Sequence, residues 1–251
     1  MEKLFENGGE ALMDPIAEAV HTLFGLPYLF PYQRLVVSNI LEAAKAAGVG
    51  LRHLDTGSVE APDKNAADAP VEAAADGEAA DEAPADKEAA GLGRQIVILP
   101  TGAGKSLCFQ FPAMLLDGPT LVIYPILSLM ADQERRLLEK DFAPVTLRGG
   151  QSEEERAVIW QKIKNRESRF IIANPEVLLT PKVLKILPEL GIVHIVIDEA
   201  HCVSEWGESF RPSYLEIGKV VEAAAAPIVT AFTATASAPV LEKIGAYLFG
   251  E

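Results

Sequence analysis

A chain of 251 residues with 49% hydrophobic side chains can bury one large core. Its formal charge of −14 runs against the basic composition usual for a nucleic-acid-binding surface. Two cysteines, Cys108 and Cys202, exclude a disulfide framework and a paired-cysteine zinc site, and no apolar run reaches the ~20 residues that span a bilayer. The expectation is a soluble protein of a reducing compartment, the cytoplasm, with no membrane partner.

The first 50 residues read as helical. Asp14-Pro15 has the form of an N-cap followed by a first helical residue. Ile16, Val20, Leu23 and Phe24 then share one apolar face. A second helix is predicted over 32–47, with Val36, Val37, Ile40, Leu41 and Ala44 inward, Lys45 in its last turn and Gly48 ending it. Residues 55–90 break the pattern. They hold 13 alanines, 11 acids, two lysines and no aromatic residue, so −9 of the formal charge sits there. Such a segment buries too little surface to offset its ordering entropy and is expected to be a disordered insert within one folded domain. Its charge suggests an electrostatic screen against nucleic acid in the absence of substrate, with an inert solvated loop as the alternative.

From residue 94 onward strands and helices alternate. Strands are predicted at 95–99, 120–124, 145–147, 170–173, 192–197 and 227–232. A helix at 152–163 opens on a capping box, Ser152 and Glu155. The strand at 192–197 is almost wholly apolar, which suits a parallel strand covered on both faces. His194 within it is expected to be a hydrogen-bonded core residue and not a ligand. The alternation predicts an α/β fold with a mostly parallel sheet, right-handed crossovers and helices on both faces.

Two stretches carry chemistry. After the first strand comes Pro-Thr-Gly-Ala-Gly-Lys-Ser at 100–106. Thr101, Gly102, Ala103 and Gly104 form a loop whose amides can converge on phosphate oxygens at a helix start. Lys105 is expected to reach the β- and γ-phosphates of ATP, and the Ser106 hydroxyl to bind Mg²⁺. Leu99 stands where the general pattern has its first glycine, so this is the form typical of helicase-like motors. The second stretch is Asp198-Glu199-Ala200-His201 at a strand end. Asp198 is expected to hold Mg²⁺, Glu199 to orient and deprotonate the attacking water, and His201 to relay nucleotide state to neighbouring loops.

The stretches 99–113 and 198–214, taken together, resemble the first RecA-like motor domain of a RecQ-family superfamily 2 DNA helicase. Tyr124-Pro125-Ile126-Leu127-Ser128 through Gln133 resembles motif Ia, Asn174-Pro175-Glu176 motif Ib and Thr233-Ala234-Thr235-Ala236 motif III. Gln33 falls where that family has its adenine-reading glutamine. Phe30 stands where the family usually has an arginine. The segment after His201 resembles the family's aromatic-rich loop, with Glu205, Glu208 and Ser209 departing from its usual residues.

The resemblance implies that Ser128, Gln133, Trp206, Phe210 and Arg211 contact single-stranded or duplex DNA, the aromatics by stacking on bases. It also implies ATP hydrolysis coupled to 3′–5′ translocation and unwinding. Residues 1–251 would form one ATP-binding lobe, depending on a second RecA-like lobe whose sequence is not seen here. The zinc-binding and winged-helix modules typical of the family are not seen either. An isolated lobe of this kind would bind nucleotide weakly and hydrolyse it very slowly. An RNA-directed motor of the same superfamily and a non-catalytic binding module are the alternatives. Arg148-Gly149-Gly150 reads as a plain turn ahead of a phosphate contact.

Overall fold

The computed structural model describes residues 14–52, 92–205, 211–235 and 237–250. The acid-rich insert, Trp206 and Phe210 lie outside the described residues.

Two helices precede the sheet, α1 (Pro15–Phe24) and α2 (Pro31–Ala46). The Asp14 carboxylate accepts a hydrogen bond from the Ile16 amide at 3.2 Å and pairs with Arg34 of α2. α1 ends at Gly25, whose φ of +67° closes the turn. Six strands follow: β1 (Arg94–Ile98), β2 (Thr120–Ile123), β3 (Val145–Thr146), β4 (Phe170–Ala173), β5 (His194–Ile197) and β6 (Ile228–Thr233). Between and after them run α3 (Lys105–Leu115), α4 (Leu127–Leu138), α5 (Glu153–Lys164), α6 (Pro175–Leu178), α7 (Pro181–Ile186), α8 (Cys202–Glu205), α9 (Ile217–Ala224) and α10 (Ala238–Phe249).

Every strand pair is parallel, in the order β1-β6-β5-β2-β4-β3. The chain leaves a gap between β1 and β2 and later fills it with β5 and β6. The loops after β1, β5 and β6 therefore meet at one end of the sheet, where open α/β sheets bind their ligands.

Alternate strand residues feed two cores. Leu121, Ile123, Ile171, Ile195 and Ile197 pack with α9 and α10 on one face. Val122, Ile172, Val196 and Phe232 pack with α2, α3 and α4 on the other. Val20, Val37 and Phe111 join α1 to α2 and α3. The apolar faces expected for both N-terminal helices turn inward: Val37, Ile40 and Ala44 are fully buried, while Ile16, Leu23, Phe24 and Leu41 are partly so. The capping box at Ser152 and Glu155 forms as expected.

The contact between α9 and α10 is close enough to test. A Cβ at Gly218 would lie 2.5 Å from the Tyr247 carbonyl oxygen. Backbone cannot swing aside as a side chain can, so Gly218→Ala must part the helices. The expected loss is about 1–3 kcal/mol of stability, read as a lower urea midpoint at unchanged slope.

His194 is fully buried, and its Nε2 meets Thr230 Oγ1 at 3.0 Å. Burial lowers its pKa from the ordinary 6.5 to about 3. Between those values the unfolded chain holds a proton that the native state refuses. The stability contributed by neutral His194 is complete above the unfolded pKa and is lost as pH falls from 6.5 towards 3. The slope is at most about 1.4 kcal/mol per pH unit. His194→Gln, which keeps a partner for Thr230, should flatten the fall in urea midpoint between neutral and mildly acidic buffer.

Candidate active site

The phosphate loop leaves β1 beside β6, where the Leu99 amide donates to Thr233 O at 3.0 Å. Gly102 and Gly104 have φ of +84° and +73°, a backbone that glycine adopts without steric penalty. Gly104 caps α3, so Lys105 and Ser106 open that helix. The free amides and positive end of the helix dipole at its first turn therefore lie at the loop.

Gln33 is buried against this loop. Its amide nitrogen donates to Ala103 O at 3.0 Å, while its oxygen accepts from the Phe30 amide at 3.0 Å. The Tyr32 hydroxyl donates to the same Ala103 oxygen at 3.3 Å, a contact with no signal in the sequence. Phe30 stacks on Tyr32 with ring centres 5.6 Å apart, and Tyr28 meets Phe30 edge-on. These three exposed rings form an aromatic shelf beside the loop.

β5 ends beside the loop. Glu199 takes φ of +52°, a left-handed conformation that costs a residue with a Cβ about 1–2 kcal/mol. In that conformation its carboxylate meets α3: Lys105 Nζ donates to Glu199 Oε1 at 2.8 Å. The other oxygen, Oε2, lies 3.3 Å from His201 Nδ1. The same nitrogen lies 3.3 Å from Thr233 Oγ1, whose hydroxyl donates to Thr235 O at 2.8 Å. That hydroxyl has one proton, so His201 Nδ1–H is the donor to Thr233. A continuous polar chain thus runs from Lys105 through Glu199 and His201 to Thr233 and Thr235.

Asp198 adjoins this chain. Its Oδ1 accepts the Glu199 amide at 3.0 Å. Burial pushes its carboxyl up to about 6; the Lys105 ammonium opposes the rise and the Glu199 charge adds to it. Among the described residues no group of three or more His, Cys, Asp or Glu side chains could hold a metal ion by itself.

The residues expected to face DNA divide. Ser128 is exposed in the first turn of α4. Gln133 is not: it is buried, and its side-chain oxygen accepts from Gln110 of α3 at 3.4 Å. The expectation that Gln133 touches DNA is corrected here, because five residues beyond Ser128 the helix has turned its side chain into the α3–α4 contact. Arg211 donates to Pro125 O and lies 3.7 Å from Glu176 Oε1. Glu176 also accepts from Ser213 at 3.0 Å and Asn174 at 2.7 Å. Arg211 therefore ties the segments resembling motifs Ia and Ib to the chain after residue 210. Arg148 pairs with Glu134, and its amide donates to Gln151 at 2.8 Å, which fits a turn.

Residues 86–244 match the family described as DEAD/DEAH box helicase. The chain belongs to that family. Among relatives of this helicase domain, a probable ATP-dependent DNA helicase RecS of Bacillus subtilis is 41% identical over 150 residues, covering 59% of this chain and 30% of that protein. An ATP-dependent DNA helicase RecQ of Synechocystis is 39% identical over 125 residues, covering 49% of this chain and 26% of that one. The helicase domain thus spans less than a third of the length of these relatives. A solved structure of the DUF1998 helicase MrfA, bound to DNA and AMPPNP, covers 95% of this chain and 28% of its own at 17% identity and a TM-score of 0.55. That likeness extends the shared fold over nearly the whole domain. Among the described residues no helix is long and apolar enough to cross a membrane.

Proposed function

We propose that this domain is the ATP-binding and hydrolysing lobe of a DNA helicase that moves 3′ to 5′ on single-stranded DNA. One observation carries the reading. The Lys105 ammonium, at a helix start beneath a glycine loop, meets the carboxylate of Glu199 next to Asp198. An ammonium, free helix amides and two carboxylates within one site suit a triphosphate with its metal.

Lys105 would exchange its bond with Glu199 for phosphate oxygens. The released carboxylate of Glu199, held by its left-handed backbone, would accept the proton of an attacking water. Ser106 and Asp198 would hold Mg²⁺. The two protein ligands fit, since this ion keeps several waters and takes the rest of its shell from phosphate. When bound, the ion neutralises charge developing on the transferred phosphoryl group. His201 would report the state of Glu199 to Thr233 through their shared proton. Trp206, Phe210, Ser128 and Arg211 would meet DNA. A second RecA-like lobe would complete the site, and the two free, buried thiols suit a reducing cytoplasm.

The DNA part of the reading rests on the RecQ-type relatives. Its test is ATP turnover by this domain joined to a second RecA-like lobe, with single-stranded DNA or RNA added. Stimulation by DNA is expected; stimulation by RNA alone would overturn it.

A further inference from the structure

Carbonyls shape a phosphate loop as much as amides do, because a planar trans peptide carries the two on opposite sides. The peptide joining Ala103 to Gly104 is trans. Its carbonyl oxygen faces α2, where it accepts from Gln33 Nε2 at 3.0 Å and from the Tyr32 hydroxyl at 3.3 Å. Its other end, the Gly104 amide, therefore points away from α2. Among the described residues that amide has no hydrogen-bond acceptor. It stands directly before the free amides at the start of α3.

The loop's own backbone does little to hold this peptide. Turning it over needs only a change in ψ of Ala103 and φ of Gly104. Gly104 sits at +73°, and glycine accepts either sign of φ. A turned peptide would present an oxygen where the amide now stands, and an oxygen repels phosphate.

The restraint comes from α2. A Cβ at Gly104 would lie 2.6 Å from Gln33 Nε2, so the glutamine already fills that space. Tyr32 adds a second, separate donor, and a carbonyl oxygen has lone pairs for both. The Tyr32 ring is steadied by Phe30, stacked at 5.6 Å with 7° between planes. Burial does not drive its hydroxyl to the loop. The residue is 39% exposed, and water could satisfy the hydroxyl instead.

We propose that Tyr32 is a positioning residue of the phosphate loop. Its hydroxyl, beside the Gln33 amide, holds the Ala103 carbonyl toward α2 and so keeps the Gly104 amide aimed at the phosphates. This role rests on the reading of the loop as a phosphate site. It serves the phosphate end of a nucleotide and not its base, although the ring belongs to the aromatic shelf.

The test compares the 251-residue chain with Tyr32→Phe, which keeps the ring against Phe30 and removes only the oxygen. One ligand is a fluorescent ATP analogue. The other is inorganic tripolyphosphate, which has no base, measured with Mg²⁺ by displacement of the analogue. Loss of one neutral hydrogen bond should weaken affinity about two- to tenfold, by the same factor for both ligands. In the ligand-free variant the Gly104 amide should gain microsecond-to-millisecond exchange by nitrogen-15 relaxation dispersion, while amides of α9 and α10 should not. Weaker binding of the analogue with tripolyphosphate unchanged would assign Tyr32 to the base and overturn the proposal. So would an unchanged Gly104 signal, or equal affinity of variant and parent for both ligands. In that last case a weakened Lys105→Ala would leave the phosphate-loop reading standing. Failure of tripolyphosphate to displace the analogue from the parent chain would remove that reading and this role with it.

Discussion

Glu199→Gln is expected to lower DNA-stimulated ATP turnover by about 10²–10⁴-fold, measured with this domain joined to a second RecA-like lobe, while changing nucleotide affinity only a few-fold. The amide has nearly the shape of the acid and can still face Lys105. It lacks the basic oxygen that would accept a proton from water. The left-handed φ of +52° at this position sharpens the expectation. The strained backbone persists only because its surroundings hold it, so the variant's side chain should keep its place. Single-turnover rates beside the equilibrium affinity of a fluorescent ATP analogue separate the two effects. A variant turning over within threefold of the parent would remove Glu199 from the chemistry.

Lys105→Ala has the second large expected effect, and it appears in binding. Hydrogen bonds from a charged donor contribute roughly 1.5–3 kcal/mol, so affinity for the triphosphate should fall about 10- to 100-fold. The measurement needs only the 251-residue chain and the fluorescent analogue. The variant also leaves Glu199 without its ammonium partner at 2.8 Å. A double variant, Lys105→Ala with Glu199→Gln, removes that unpaired charge. It should recover part of any lost thermal stability without recovering affinity. If Lys105→Ala bound as tightly as the parent, the loop would not be a phosphate site.

Much of this arrangement was legible in the chain itself. The six strands fall within two residues of their expected bounds, because short apolar runs separated by helix signals leave little freedom in register. β5 starts at His194 and not at 192, since Gly191, with φ of +62°, still turns the chain there. Lys105, Glu199 and His201 could be named because backbone geometry at a loop and a strand end dictates residue type. Gln133 was misread for the opposite reason. Its residue type suits a polar surface, and only the position of α3 shows that Gln110 waits there as its partner. The tether of Arg211 to Glu176 and Pro125 escaped notice likewise. It is assembled from segments whose meeting depends on sheet order.

The amide of Gln33 has a consequence for how an adenine would be held. Both its polar ends are already engaged, one on Ala103 and one on Phe30. Each end keeps capacity to spare, since the amide nitrogen has a second N–H and the oxygen a second lone pair. A base could be read by those remaining sites without breaking either bond, and it would meet a side chain whose orientation is already fixed. One amide would then fasten the phosphate loop and the base at the same time.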